Sequence, residues 1–187
     1  MFIKKTKYVV FGTSNADKVT KCRLTRVTRF AIASCSNVAH KMATVRKIVD
    51  TPKGIRPLPG VYSQAVIADK TMYISGQLGM DPKTMELVSD DAAGQAKQAL
   101  MNMGHILEAG GSAFNKVVKA TVLLSNINDF QAVNEVYKTF FTEKQPARAA
   151  YQVANLPKGG KVEIEAIAIV GEVQEYVPPR QKKLSRL

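Results

Sequence analysis

Tryptophan is absent from this 187-residue chain, and beyond residue 41 cysteine is absent too. Cys22 and Cys35 both fall in the N-terminal segment. The rest of the chain therefore offers no disulfide framework, no thiol nucleophile and no thiolate metal ligand. Histidine is almost as scarce: after His40 only His105 remains. That argues against a histidine-ligated metal and against a Ser-His-Asp triad, so no metal is expected. His105 falls off the main apolar stripe of its segment and is expected in solvent. No apolar run approaches the roughly 18–20 residues that span a bilayer, so no membrane association is expected. Walker A, His-Glu-x-x-His and Gly-x-Gly-x-x-Gly patterns are missing as well.

Charge is present in excess, with a formal net of +12. A basic chain suggests a nucleic-acid partner, but the distribution points elsewhere. Residues 1–50 carry eleven Lys/Arg against Asp17 and Asp50, and residues 171–187 carry four basic residues against two glutamates. The intervening 51–170 holds 12 basic and 11 acidic side chains, a net of +1. The basicity sits on the ends.

Residues 1–41 read as a basic, acid-poor leader. Arg23, Arg26 and Arg29 would form one stripe on a helix, as in a mitochondrial presequence. The alternative is a disordered leader, or an upstream start with Met42 as the working initiator. The predicted layout is a leader over 1–41, a folded domain over 42–171 and a basic tail over 172–187. Localisation is cytoplasmic, or mitochondrial if the leader acts as a presequence.

From residue 43 the pattern is α+β. Thr44–Val49 is a short strand, and Tyr62–Ala68 and Thr71–Leu78 form a hairpin about Asp69-Lys70. Over Asp90–Ala109 the apolar residues Ala92, Ala96, Ala99, Leu100, Met103, Ile106 and Leu107 recur at helical spacing, and Gly110-Gly111 ends the run. Lys116–Leu124 is a buried strand. Asn128–Phe141 is a second amphipathic helix with Phe130, Val133, Val136, Tyr137 and Phe140 inward. Ala149–Leu156 and Lys161–Val170 are strands around a tight turn at Pro157. Two helices on one face of a single sheet is the expected architecture.

The last strand carries the first chemical signal. Side chains alternate across a sheet, so Val162, Ile164, Ala166 and Ala168 share one small apolar face. Glu163, Glu165, Ile167 and Ile169 share the other. A solvated face rarely ends in two isoleucines, so a partner subunit is expected to cover it. The two carboxylates stand about 7 Å apart along the strand. Partial burial of such a pair raises one carboxyl pKa, which suits a general base. The alternative is that both are ordinary surface charges. Arg148 opens an otherwise apolar strand, where its guanidinium can clamp a carboxylate; the alternative is an ion pair at the surface or an interface.

Several motifs are familiar at this point. Tyr62-Ser-Gln-Ala-Val, Tyr73-Ile-Ser-Gly-Gln-Leu-Gly-Met-Asp-Pro82 and Asn128-Asp-Phe-x-x-Val-Asn-x-x-Tyr137 resemble the RidA (reactive intermediate deaminase) family. So do Pro146-Ala-Arg-Ala-Ala-Tyr-Gln-Val-Ala-Asn-Leu-Pro-Lys158 and Val162-Glu-Ile-Glu-Ala-Ile-Ala168. The likeness runs from about residue 43 to 171. It implies a chorismate-mutase-like α+β fold with one mixed sheet, assembled as a homotrimer with active sites between subunits.

The resemblance further implies a 2-iminobutanoate/2-iminopropanoate deaminase, which turns 2-imino acids into 2-keto acids and ammonia without cofactor or metal. Arg148 would bind the substrate carboxylate and Glu163 would position or activate the water. Tyr62, Ser75, Gly76, Asn134, Tyr137 and Ala150 would complete the substrate pocket. The chain departs from the family's usual residues at Val61 (Pro), Gln145 (Phe) and Ala150 (Cys in many bacterial members). The alternative function is a single-stranded RNA-binding or RNA-cleaving translation inhibitor, which the near-neutral 51–170 segment disfavours.

Overall fold

Residues 44–176 are described by the computed structural model of the chain. The leader 1–41 and the tail past Tyr176 lie outside the described residues. Strands β1 (Arg46–Val49), β2 (Ala65–Ala68) and β3 (Thr71–Leu78) come first, followed by helix α1 (Ala92–Ala109) and strand β4 (Val117–Leu124). Helix α2 (Phe130–Phe140), β5 (Ala147–Gln152) and β6 (Val162–Ile169) complete the domain. The six strands form one sheet in the order β1-β2-β3-β6-β4-β5. All pairings are antiparallel except β4 with β5, which run parallel and are joined through α2, as a parallel pair requires a long crossover.

Local chemistry explains the helix ends. The Asp91 side chain accepts from the Gly94 N–H at 2.7 Å, which caps α1 and lowers the Asp91 pKa. Gly111, at φ +77°, supplies the left-handed turn that ends the helix. The α1 stripe forecast from periodicity is buried throughout. It packs with Val133 and Tyr137 of α2 onto Met72, Ile74, Ala120, Val122, Leu124, Val162, Ile164, Ala166 and Ala168, forming the main core on one side of the sheet. A second cluster of Ile55, Leu78, Met80 and Leu156, with Leu123 and Val153 against it, closes one end.

Several expectations are corrected. The strand after α2 begins at Ala147 and stops at Gln152; Leu156 instead joins the second cluster. The tight turn expected at Pro157 is present as a 3₁₀ turn over Pro157–Gly159, and the strands it joins are not neighbours, because β4 lies between β5 and β6. Phe130 was expected inward, yet it is 38 % exposed at the start of α2. His105 is half-buried, its Nδ1 at 3.1 Å from the Lys53 carbonyl.

Polar side chains stitch the loops to the sheet. Gln64, 1 % exposed, accepts from the Thr51 N–H at 2.7 Å and donates to the carbonyls of Thr51 and Ile55, both at 2.9 Å. Asn102 of α1 donates to the Met80 carbonyl at 2.9 Å. Gln64 thus ties the Pro-rich loop to the strand that follows Tyr62 and Ser63. Gln64→Leu strands one buried donor and two buried acceptors. It should cost about 2–4 kcal/mol, read as a lowered urea midpoint.

Candidate functional site

Glu163 occupies the sheet face away from the helices. Its cross-strand neighbours are Leu78 on β3 and Leu123 on β4, and both belong to the second apolar cluster. The carboxylate is half-buried as a result. Its pKa is raised above the ordinary 4.5, chiefly by burial and secondarily by the charge of Glu165. The sequence pointed to a partly buried pair of like charges; of the two causes, loss of water is the larger. Glu165 itself is exposed.

The adjoining strand is shaped to receive this carboxylate. Between Ile74 and Gln77 the register of β3 slips by one residue against β6, a bulge at Ser75-Gly76. A Cβ on Gly76 would run into the Glu163 carboxylate, so glycine alone lets the two meet. The Ser75 hydroxyl donates to the Ser63 carbonyl at 2.7 Å and its N–H to the Gln64 carbonyl at 3.0 Å. Leu58, Tyr62, Gly76, Leu78, Pro157 and Glu163 line a hollow of about 310 Å³. Tyr62 also lines a second hollow of about 570 Å³, with Ser75 and Tyr73. Four of the expected site residues, Tyr62, Ser75, Gly76 and Glu163, therefore gather here.

The others gather elsewhere. Arg148 pairs with Ala120 and Ala150 with Val122, both buried on the helix side. Laterally paired residues point to the same face, so Arg148 and Ala150 face α2. The Arg148 Cζ lies 4.3 Å from the Tyr137 ring centroid and 5.7 Å from that of Phe130. Tyr137 stacks in turn on Phe141 at 4.2 Å and 17°. Burial pulls the Arg148 pKa down, partly offset by Tyr137, yet a guanidinium stays charged at any physiological pH. The Tyr137 phenol is pushed up to about 12, by burial more than the arginine's charge pulls it down. Phe130 is the member that sequence reasoning missed, because an aromatic at helical spacing reads as core.

Around Arg148, polar atoms stand unpaired. Arg148 Nε and Nη2, Tyr137 OH and Asn134 Oδ1 are all buried with no hydrogen-bond partner among the described residues. Buried polar groups are otherwise almost always paired, so these atoms are available to a ligand or to a neighbouring chain. The two groups of residues occupy opposite faces of one sheet. A single chain does not bring Arg148 and Glu163 together.

The chain is similar in sequence and in fold to known proteins. Residues 51–170 match the family model described as Endoribonuclease L-PSP. A 2-iminobutanoate/2-iminopropanoate deaminase from Bos taurus is 62 % identical over 127 residues, 68 % of this chain and 92 % of that protein. The crystal structure of RidA from the Antarctic bacterium Psychrobacter sp. is 48 % identical, with a TM-score of 0.63 over 66 % of this chain and 99 % of that one. E. coli TdcF, solved with bound serine, is 39 % identical, with a TM-score of 0.63 over 67 % and 99 %.

The raised Glu163 pKa has a stability consequence. The fold favours the protonated carboxyl, so its contribution is complete below the ordinary 4.5 and is lost as pH rises through the higher folded value. Denaturation midpoints of wild type should fall relative to Glu163→Gln over that interval, and the two curves should run parallel above it.

Proposed function

Because the chain belongs to the Endoribonuclease L-PSP family, which includes RidA, we propose that it is a 2-iminobutanoate/2-iminopropanoate deaminase. It hydrolyses 2-imino acids, and their enamine tautomers, to 2-keto acids and ammonia. The observation that carries the reading is a charged guanidinium with unpaired donors among aromatic rings on one face of the sheet, and a half-buried carboxyl group of raised pKa on the other. The Bos taurus relative bears this activity in its name. Serine in TdcF is a ligand of the size and charge an Arg148 clamp would take.

The chemistry follows from the groups. Two parallel N–H donors of Arg148 hold the substrate carboxylate and fix the orientation of the neighbouring C=N carbon. Glu163 takes a proton from a water whose oxygen adds to that carbon. The nitrogen gains protons, the C–N bond breaks, and ammonia leaves as the carbonyl forms. One imine and one water thus give one keto acid and one ammonia. Tyr62, Ser75 and Gly76 form the wall on the Glu163 side; Asn134, Tyr137 and Ala150 form it on the Arg148 side. No bond between protein and substrate is needed, and the scheme uses no cofactor or metal.

Opposite faces require two chains. We assign the site to the cleft between neighbouring copies, Arg148 coming from one and Glu163 from the next, in a closed homotrimer. The bare sheet face supports this: Tyr73 and Tyr151 are each 50 % exposed on it, beside Ile167 and Ile169. Compartment follows the leader: cytoplasm, or mitochondrion if residues 1–41 act as a presequence. RNA cleavage has weaker support, because residues 51–170 carry a net of only +1.

Arg148→Ala should lower kcat/KM for imine hydrolysis about 10²-fold or more while the protein stays folded. Glu163→Gln should lower kcat by roughly 10²- to 10⁴-fold with little change in KM, and Glu165→Gln should act on assembly or stability instead. Release of 2-ketobutanoate from enzymatically generated 2-iminobutanoate measures all three; near wild-type turnover by Arg148→Ala would overturn the assignment. Light scattering should give the mass of three chains, and a stable monomer would remove the composite site.

A further inference from the structure

Strand β5 stands at the edge of the sheet, with β4 as its one neighbour among the described residues, and Arg148 is its second residue. Where the guanidinium lies therefore depends on how the chain enters this strand. The entry, residues 142–146, is weakly held by its own bonds. Pro146 has no N–H to donate, and the Gln145 amide reaches back to the Thr142 carbonyl at a long 3.4 Å. Lys144 sits at φ +51°, a left-handed conformation uncommon outside glycine, which persists where the surroundings hold it.

The segment that follows β6 supplies such surroundings. It is fastened at three points. The Ser112 hydroxyl donates to the Ile169 carbonyl at 2.7 Å, Lys116 Nζ donates to the Gly171 carbonyl at 2.8 Å, and the Glu175 carboxylate lies 3.5 Å from Lys144 Nζ. Gly171, at φ +90°, makes a turn that a residue with a Cβ would resist. Beyond it, Val173 and Glu175 share a hollow of about 400 Å³ with Val117, Val118, Pro146 and Ala147. The segment thus runs from the end of β6, past the start of β4, to the residues just before Arg148. Resting on the carboxylate clamp proposed for Arg148, we infer that residues 171–176 brace the entry to β5 and so hold the guanidinium against Tyr137, with Lys116 and Glu175 as positioning residues. Neither touches the substrate. Glu175 holds the left-handed Lys144, and Lys116 holds the turn from which Glu175 is reached. With the brace released, the guanidinium samples other positions, and a carboxylate must first select the competent one. Binding weakens while the chemical step is kept, because Glu163 lies on the other face of the sheet.

The test reverses one charge in the full chain. Glu175→Lys sets two ammonium groups together, and Lys144→Glu combined with Glu175→Lys restores an opposite pair. The Arg148 Nε–H resonance, assigned by its loss in Arg148→Lys, reports on the Tyr137 ring 4.3 Å from Cζ. It should move toward the position of a free arginine in Glu175→Lys and return in the double variant. KM for 2-iminobutanoate should rise by up to about fivefold, the range that an exposed ion pair commands, with kcat within about twofold of wild type. Lys116→Met removes another fastening and should move both readouts the same way; it serves if Glu175→Lys fails to fold. An Arg148 resonance that stays in place in both single variants, or does not return in the double variant, would overturn the inference, as would a fall in kcat with KM unchanged. A resonance that moves in a protein without imine turnover removes the hydrolase reading and keeps the brace; turnover with an unmoved resonance does the reverse.

Discussion

A pleated strand shows each side chain to one face only, and the register of β4 with its two neighbours fixes Arg148 and Glu163 on opposite ones. Ala120 pairs with both Arg148 and Ala166, deep in the core beneath the helices. Leu123 pairs with Glu163 on the far side. A one-residue slip would invert every side chain of a strand, and the buried row Ala120, Val122 and Leu124 forbids it. The placement of the two charged groups is thus set by apolar packing. Any chemistry that uses both must recruit a second copy of the chain, and the uncovered sheet face with Tyr73, Ile167 and Ile169 offers a surface for it.

Each half of the proposed site holds its charge by a different device. Arg148 is immobilised by aromatic faces, with Tyr137 braced by Phe141 behind it. Cation–π contact retains the guanidinium in a water-poor place without consuming the hydrogen bonds it would offer a carboxylate. Glu163 relies on the opposite arrangement: leucines on both neighbouring strands remove water from it, and the Ser75-Gly76 bulge clears space for its carboxylate. A fixed cation and a carboxyl group of raised pKa are suited to orientation and proton transfer respectively, the two contributions that hydrolysis of an already electrophilic imine requires.

Much of this was legible in the sequence because it is local. The α1 stripe, the two faces of β6 and the intrusion of Arg148 into an apolar strand all follow from periodicity, and the motifs linked them to one family. What was not legible depends on partners distant in the chain. Insertion of β6 between β3 and β4 leaves no local trace, so the strand order of the sheet is not read from the chain. Phe130 reads as core because its spacing is that of an inward residue, yet its ring lies beside Arg148 with 38 % of the residue exposed. Gln64 beside a loop carries no specific signal in the sequence, though it is buried and holds three backbone groups. Burial of Glu163 outweighs Glu165 for the same reason: Leu78 and Leu123 approach from other strands.

The central claim is that one active site is shared between two chains, and mixing two inactive variants tests it most directly. Arg148→Ala and Glu163→Gln are unfolded together in equal amounts, refolded and assayed for imine hydrolysis. In a closed ring with one site per pair of neighbours, about a quarter of the sites combine an intact Arg148 from one copy with an intact Glu163 from the next. Recovery of about a quarter of wild-type activity is predicted. Recovery no greater than the sum of the separate variants, from a mixture shown to contain mixed assemblies, would contradict the account.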